Sequence, residues 1–353
     1  MKFKIKKSFI CKNISGHKIE PGLAGTHIPK VGDVALFRVK EIGKHGRLQN
    51  YKGKNRLLFP GDYILCAFGH RYATNQLEGY VPASPQEEYH ILGQGGVIGI
   101  VKSMYKPLEE KGPTTLEMIG YAVDENGEVM NTKASKFELA RLAQKNNNRA
   151  KVILSVGSAM DSGKTTTAGY LCRGLAMAGH KVAYMKLTGT VYTKDMNFAL
   201  DCGADAVTDF SAFGFPSTYL CDLPELVRLF HALMHKLEAA QPEYVVVEIA
   251  DGLLQRETRK LLKSKSFMRE VHDVIFSAGD SLGVVSGLDF LNGCHIKPFA
   301  VSGLFTSRPL LVQEVSEYCK ADVLSLEDLE DPSVAGYLRR LPVKQQKRLA
   351  NVA

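Results

Sequence analysis

The chain has 353 residues, of which 45% are apolar and 23% charged, and a net charge of +8. This is the composition of a globular protein, and the length allows about two domains. No stretch approaches the ~20 apolar residues that a membrane-spanning helix needs, and the first residues, MKFKIKKSFI, lack the features of a secretory signal. We therefore expect a cytoplasmic protein without a membrane partner.

The positive charge lies at the amino-terminal end. Residues 1–56 contain fourteen Lys and Arg against three acids, which gives this segment +11 and leaves the rest of the chain at −3. Such a segment suits a polyanion, so nucleic acid stays open as a partner. It is not favoured, because the basic residues are not interleaved with aromatic side chains that stack on bases.

Residues 1–135 are predicted to form a β-rich domain, because short strand-like runs alternate with turns that contain Gly and Pro. The runs are DVALFRVKEIG, RLLFPGDYILCAF, GVIGIVKSM and TLEMIGYAVDENGEVMN. The pair Asn126–Gly127 in the last run is a strong hairpin signal. The pattern predicts a small β-barrel or a sandwich-like domain without deciding between them.

Residues 136–151 are predicted to form a short amphipathic helix and a polar linker, and a P-loop domain is predicted over 152–345. In the latter, apolar runs that read as buried strands alternate with helical stretches. The strands are expected at 151–156, 181–187, 244–250, 273–279, 298–304 and 321–326. The helices are expected at 165–178, 194–203, 223–240, 253–270, 281–293 and 309–319. This alternation predicts an α/β fold with a mostly parallel sheet flanked by helices. The last residues, 339–353, read as a basic tail or a short terminal helix.

The stretch SVGSAMDSGKTTT, residues 155–167, reads as a phosphate-binding loop because it lies between a strand and a helix. Backbone N–H groups of such a loop and the helix amino terminus form an anion site, and Gly163 lets the backbone approach the phosphates. Lys164 supplies charge to the β- and γ-phosphates, and the Thr165 hydroxyl suits Mg²⁺. The predicted nucleotide-binding residues are Gly157, Ser158, Ala159, Met160, Asp161, Ser162, Gly163, Lys164, Thr165 and Thr166.

The loop departs from the common G-x4-G-K-[ST] form, because Gly157 lies one residue earlier. It resembles the G-x5-G-K-T loop of dethiobiotin synthetases, which belong with the cobyrinic-acid-amidase-like and MinD-like proteins to the SIMIBI class of P-loop NTPases. The resemblance covers about residues 152–250, and the β-rich domain has no counterpart in it. The second lysine that is diagnostic of the MinD group is absent from residues 157–160.

Two further segments carry the resemblance. The run MKLTGT is similar to the segment after the second strand of dethiobiotin synthetases, which implies that Lys186 points at the γ-phosphate and the substrate. The run VVVEIADG resembles the segment that holds the metal acid, which favours Glu248 as the Mg²⁺ ligand and keeps Asp251 as second choice. Asp161 is predicted either to contact attacking water or substrate, or to cap the turn.

The stretch 188–219 lies where such proteins carry switch-like or substrate-binding segments. Ligand-binding loops gather at the carboxyl ends of parallel strands, and the stretch mixes hydroxyls and aromatic side chains. It is equally suited to packing against the β-rich domain. The substrate-binding residues predicted here are Thr188, Gly189, Ser217 and Thr218.

The leading functional prediction is a Mg-ATP-dependent, ligase-like enzyme that transfers a phosphoryl group to a small molecule, with Lys164, Lys186 and Asp161 as catalytic residues. A nucleotide-dependent switch with NTP hydrolysis is the second, and a nucleic-acid-binding ATPase the third. ATP follows from the resemblance, but GTP is not excluded, because Ser302 and Gly303 stand where the family carries its adenine-reading asparagine. A homodimer is also left open.

The seven cysteines are odd in number, widely spaced and form no CxxC pair. Neither a disulfide framework nor a structural zinc site is therefore predicted.

Overall fold

The computed structural model describes residues 4–146 and 149–338, which form two regions. The β region comprises residues 4–135 and the P-loop region residues 149–338, and helix α1 (Lys136–Gln144) lies between them. Ser135 caps this helix by accepting a hydrogen bond from the Glu138 N–H. The predicted domain end at 345 and the predicted basic tail, 339–353, lie outside the described residues.

The β region contains mostly short strands. They are β1 (Ile5–Lys7), β2 (Lys18–Glu20), β3 (Val34–Glu41), β4 (Arg47–Gln49), β5 (Asn55–Leu57), β6 (Tyr63–Phe68), β7 (Arg71–Tyr72), β8 (Leu77–Tyr80), β9 (Tyr89–Gly93), β10 (Val97–Met104) and β11 (Thr115–Val123). The predicted hairpin at Asn126–Gly127 is confirmed by the bridge between Val123 and Val129 and by a positive φ of 81° at Gly127.

Five of these strands close into a ring, so the β region is a barrel rather than a sandwich. Strand β3 pairs antiparallel with β6 and β11, β11 pairs with β9, and β9 pairs with β10. Strand β10 then closes the ring by pairing in parallel with β6. Inside, the rings of Phe37, Phe68 and Tyr89 meet edge to face, with centroids 5.6 to 5.8 Å apart.

The P-loop region is a parallel sheet flanked by helices, as predicted. Its strands are β12 (Lys151–Gly157), β13 (Val182–Lys186), β14 (Ala206–Asp209), β15 (Tyr244–Glu248), β16 (Val271–Ser277) and β17 (Ala300–Ser302). Their spatial order is β14-β13-β15-β12-β16-β17, and all five pairings are parallel. Its helices are α2 (Lys164–Met177), α3 (Lys194–Asp201), α4 (Leu223–Leu237), α5 (Arg256–Leu262), α6 (Lys265–Met268), α7 (Ser281–Gly293), α8 (Pro309–Tyr318) and α9 (Leu326–Glu330).

Three local expectations were wrong. The helix predicted at 253–270 is broken into α5 and α6, because Ser264 ends the first and caps the second by accepting from the Phe267 N–H. The strand predicted at 321–326 contributes only a bridge between Val301 and Val323, because Ser325 starts α9 with a capping box. Strand β14 was missed, because four residues with a polar second half give little periodic signal.

The two regions share one hydrophobic core. Phe9, Ile10 and Val97 of the β region belong to the same buried cluster as Leu187 and Val191 of the P-loop region. The contact therefore joins the barrel to the segment that follows β13. In the described residues, no helix is long and apolar enough to cross a membrane. All seven cysteines are free.

Candidate functional site

The loop between β12 and α2 has the shape of an anion cradle. Asp161 and Gly163 have positive φ values of 61° and 95°, so the chain turns sharply before α2 begins at Lys164. Within the described residues, the N–H groups of residues 159–163 donate to no protein acceptor. Donors that turn into one concavity at a helix amino terminus favour a phosphate.

Both glycines of the loop are required by its geometry. A Cβ at Gly157 would lie 2.5 Å from the Lys164 Cγ, and one at Gly163 would lie 3.0 Å from the Gly303 Cα. Gly303 follows β17, so the segment at Ser302 and Gly303 packs directly against the loop.

Lys164 lies across the loop and is only 6% exposed. Its Nζ donates to the Ala159 carbonyl oxygen at 2.7 Å. Burial lowers the pKa of Lys164, and the charges of Glu248 and Asp251 oppose that shift. A buried ammonium next to free backbone N–H groups is suited to a phosphate chain.

Glu248 meets the start of α2 because β15 pairs directly with β12. The Thr165 hydroxyl donates to its Oε1 at 3.0 Å, and the Tyr184 hydroxyl donates to its Oε2 at 2.6 Å. The carboxylate is 2% exposed. The structure thus brings Thr165 and Glu248 together, as the metal prediction requires, and Tyr184 is a neighbour that the sequence gave no reason to select.

This pair fits Mg²⁺ at a P-loop. Mg²⁺ is usually held there by few protein oxygens, with substrate phosphates and waters completing the octahedron. Among residues 4–146 and 149–338, no cluster of three or more His, Cys, Asp or Glu side chains could hold a metal alone. One hydroxyl and one buried carboxylate beside the cradle are therefore the donor set expected for this ion.

Lys186 lies beside Glu248, at the same level of the neighbouring strand. Its Nζ is 3.5 Å from the Glu248 Oε1 and forms a hydrogen-bonded ion pair with Asp195 at the start of α3. Burial by itself would lower the pKa of Lys186, but Glu248 and Asp195 outweigh it and raise that pKa. The lysine is therefore charged at neutral pH, and Asp195 is a site residue that the sequence did not single out.

Asp251 does not join the Thr165–Glu248 pair by any hydrogen bond in the described residues. It has a φ of 61° and lines a small cleft next to the segment after β13. Burial raises the pKa of Asp251, and the charges of Lys164, Lys186 and Arg71 oppose that shift. The Asp251 carboxylate therefore interacts electrostatically with Lys164 and Lys186 without forming an ion pair with either in the described residues.

The four predicted substrate residues line the same cleft as Asp251. Three of their hydroxyls already accept backbone hydrogen bonds: Thr188 from Ala250, Thr218 from Gly189 and Ser217 from Tyr219. These contacts fix the shape of the cleft. Contact of these residues with a substrate stays a prediction.

Asp161 contacts the β region. Its Oδ2 accepts a hydrogen bond from the Asn75 Nδ2 at 2.7 Å. The sequence predicted that Asp161 would either contact water or substrate or cap the turn, and it did not predict this contact. The contact joins the loop between β12 and α2 directly to the segment between β7 and β8 of the β region.

The stretch 188–219 also contacts the β region. The Gln49 side chain donates to the Thr193 Oγ1 at 2.8 Å and accepts from the Thr193 N–H at 3.2 Å. The Asn55 Nδ2 donates to the Tyr192 hydroxyl at 2.8 Å. Gln49 and Asn55 lie in the two-stranded sheet of β4 and β5 and belong to no sequence motif, so only the fold reveals them.

Comparison with known proteins gives likeness in solved structures alone. No protein-family model matches the chain, and no curated protein does. The signal recognition particle receptor FtsY from Elizabethkingia anophelis, in complex with GDP, is 17% identical, with 58% of this chain and 71% of that chain covered and a TM-score of 0.39.

Two other solved structures are similar to a comparable extent. The hydrogenase maturation factor HypB from Archaeoglobus fulgidus is 14% identical, with 54% of this chain and 89% of that chain covered and a TM-score of 0.32. The signal recognition particle 54 kDa protein from Aeropyrum pernix, in complex with GDP, is 19% identical, with 56% and 48% covered and a TM-score of 0.36. At these identities and TM-scores, the likeness assigns neither a family nor a function to this chain.

Proposed function

We propose that this protein binds and hydrolyses a nucleoside triphosphate at residues 157–166, and that the bound nucleotide controls the contact between the stretch 188–219 and the β region. This is the switch reading of the sequence. The observation that carries it is a continuous series of contacts. It leads from Thr165 through Glu248 and Lys186 to Asp195, in the first turn of helix α3, which Thr193 precedes.

The series ends on the barrel. Thr193 precedes α3 and is held by Gln49 through two hydrogen bonds. A nucleotide that draws Lys186 or Thr165 toward its phosphates changes the balance of charge around Asp195. The β region then senses whether a γ-phosphate is present through the position of Thr193, as ordered and released segments do in other nucleotide switches.

The chemistry assigned to the site is charge stabilisation and positioning. Lys164 and Lys186 place two ammonium groups where negative charge is held during phosphoryl transfer, and the cradle supplies N–H donors. Thr165 and Glu248 would hold Mg²⁺, which neutralises charge on the β- and γ-phosphate oxygens. Asp161 is already bonded to Asn75, so a role in orienting water requires that contact to open.

The preferred base can be identified by comparing the hydrolysis of ATP and GTP under the same conditions. The resemblance of the loop favours ATP, whereas two of the similar solved structures are GDP complexes. Phosphate release from both triphosphates, with and without Mg²⁺, tests the proposal. Absence of release and of binding for both would contradict it.

Transfer of a phosphoryl group to a small molecule is the second candidate. The observation that favours it is the charge of Asp251, which interacts with Lys164 and Lys186; the cleft that Asp251 lines with Thr188 and Thr218 has a volume of only about 10 Å³ and must open to admit an acceptor. A metabolite that accelerates nucleoside diphosphate release and becomes phosphorylated supports this candidate. A nucleotide-dependent change of oligomeric state without an acceptor supports the switch and would also answer the question of a homodimer.

Exchange of Asp195 for Asn is expected to uncouple the nucleotide from the barrel. The Thr165–Glu248 contact is untouched, so Mg-nucleotide affinity should change less than about threefold. Hydrogen exchange of residues 47–57 should differ between the triphosphate and diphosphate states in the unmodified chain, and this difference should disappear in the variant. Asp201→Asn, at the exposed end of the same helix, is the matched control and should retain it. Identical exchange in both nucleotide states of the unmodified chain would refute the coupling.

A further inference from the structure

A cavity of about 480 Å³ lies between the barrel and residues 190–192 of the P-loop region. Lys44, Arg71 and Gln76 line it from the β region. The volume is within the range of ~300 to 1,000 Å³ that is usual for small-molecule sites. Such sites often lie where two regions of a protein meet, and none of the predicted nucleotide-binding residues lines this one.

The cavity wall carries two positive charges without an acid to pair with them. Arg71 is 9% exposed, and its guanidinium donates to the Leu92 carbonyl oxygen and, at 2.6 Å, to the Gln76 Oε1. The Lys44 Nζ donates to the same Gln76 oxygen. In the described residues, no Asp or Glu forms an ion pair with Lys44 or Arg71.

Two cations that share one neutral oxygen in a recess are unfavourable by themselves. Burial and the neighbouring Arg71 lower the pKa of Lys44 to about 8. Burial also lowers the pKa of Arg71 to about 10, and the charge of Asp251 only opposes that shift. Buried charges are normally paired, so this arrangement is suited to an anion supplied by a ligand.

We propose that this cavity binds the carboxylate or phosphate group of a small molecule, which lies between the guanidinium of Arg71 and the ammonium of Lys44. Arginine recognises the paired oxygens of either group, and lysine adds a point charge. The proposal does not depend on nucleotide binding, because neither cation belongs to the phosphate-binding loop.

The position of the cavity also gives the ligand access to the loop. Asn75 lines the cavity and donates to Asp161 of the loop, and residues 190–192 close the opposite wall. A ligand held here therefore contacts the barrel and the stretch 188–219 together. Occupancy would stabilise their contact, and by linkage any nucleotide state that favours this contact would bind the anion more tightly.

The test is calorimetric titration of the full chain with inorganic phosphate and, separately, with succinate. The protein carries Lys164→Ala, so that the loop is not a second anion site. We expect binding of at least one probe, and at least tenfold weaker binding when Arg71→Gln or Lys44→Gln is added. Binding of succinate alone assigns a carboxylate ligand, and binding of phosphate alone assigns a phosphorylated one.

The matched control is Lys40→Gln, an exposed barrel lysine that pairs with Glu88 outside the cavity and should leave the affinity unchanged. If Arg71→Gln does not fold, Lys44→Gln is the deciding variant, because Lys44 is only half-buried and Arg71 keeps its hydrogen bond to Gln76. The proposal is overturned if neither probe binds at about 10 mM, or if both cavity variants bind as tightly as their parent. Neither result bears on the proposed nucleotide site, which is tested separately by phosphate release from ATP and GTP.

We expect the affinity of the cavity for succinate to depend on pH, and the same calorimetric titration can measure this dependence. Succinate is ionised at both carboxyl groups throughout the range from about pH 7 to 9, and its affinity should fall several-fold across this range as Lys44 loses its proton. Two other titratable groups face Lys44. Arg71 stays charged over this range, and His45 stays neutral, because burial and the charges of Arg71 and Lys44 lower its pKa. Lys111 interacts with His45 from further away. In Lys44→Gln, the affinity for succinate should no longer fall between about pH 7 and 9. An unchanged fall in that variant would contradict the role of Lys44 in binding the anion.

Discussion

Replacement of Lys164 by Ala is expected to weaken Mg-nucleotide binding by at least 100-fold, which corresponds to about 3 kcal/mol. Lys164 is a buried cation that lies across the cradle, and its removal leaves the loop itself with neutral N–H donors alone. Calorimetric titration with Mg-ATP and Mg-GTP measures the loss. The variant should be at least as stable as the parent without nucleotide, because a buried charge held mainly by a carbonyl oxygen is removed.

Lys181→Ala is the matched control for this prediction. Lys181 is an exposed lysine directly before β13, and it lies at the opposite end of the parallel sheet from the loop, which follows β12. It should bind nucleotide as the unmodified chain does. Equal affinity in Lys164→Ala and Lys181→Ala would remove the nucleotide site from residues 157–166 altogether.

The sharp turn between β12 and α2 could be predicted from the sequence because it is local. Gly157, Gly163 and Lys164 are set by a short run between one strand and one helix, and the structural reasons for these residues act over a few ångströms. The parallel sheet could be predicted for a similar reason, since fully buried strands read as continuous apolar runs. The hairpin at Asn126–Gly127 is another short-range signal of this kind.

The rest of the site depends on long-range contacts that no short pattern encodes. Gln49 and Thr193 are 144 residues apart, and Asn75 and Asp161 are 86 apart. The barrel could not be distinguished from a sandwich either, because closure depends on the pairing of β10 with β6 and not on the strands themselves. For the same reason, Arg71 and Lys44 carried no signal until folding placed them together without an acid.

Glu248 illustrates how the two kinds of information combine. The sequence marked an acid after four apolar residues, which is an unfavourable place for an unpaired charge. The fold supplies its partners, since β15 lies between β12 and β13 and brings Thr165, Tyr184 and Lys186 to the carboxylate. Its burial is therefore explained by a site and not only by packing.

Replacement of Glu248 by Gln is expected to reduce Mg-dependent hydrolysis by about 10²- to 10³-fold, the range found when one preorganised electrostatic group is removed. The amide keeps the shape of the side chain, so one of the hydroxyls of Thr165 and Tyr184 can still donate to its oxygen and the other can accept from its NH₂ group. The negative charge that would hold Mg²⁺ and face Lys186 is lost. When phosphate release is measured against Mg²⁺ concentration, the variant should need a higher Mg²⁺ concentration for half-maximal release than the unmodified chain. Chelation of Mg²⁺ should abolish release in the unmodified chain.

The same change should lower the free energy of unfolding by about 1 to 3 kcal/mol, because Lys186 keeps only Asp195 as a counter-charge. Glu257→Gln separates the two effects, since Glu257 is equally buried and pairs with Arg256 away from the loop. It should lose comparable stability in a denaturant titration and keep its Mg²⁺ dependence. If Glu248→Gln also kept the metal dependence of the unmodified chain, Glu248 would be a structural acid, and Asp251 would become the carboxylate to test as the metal ligand.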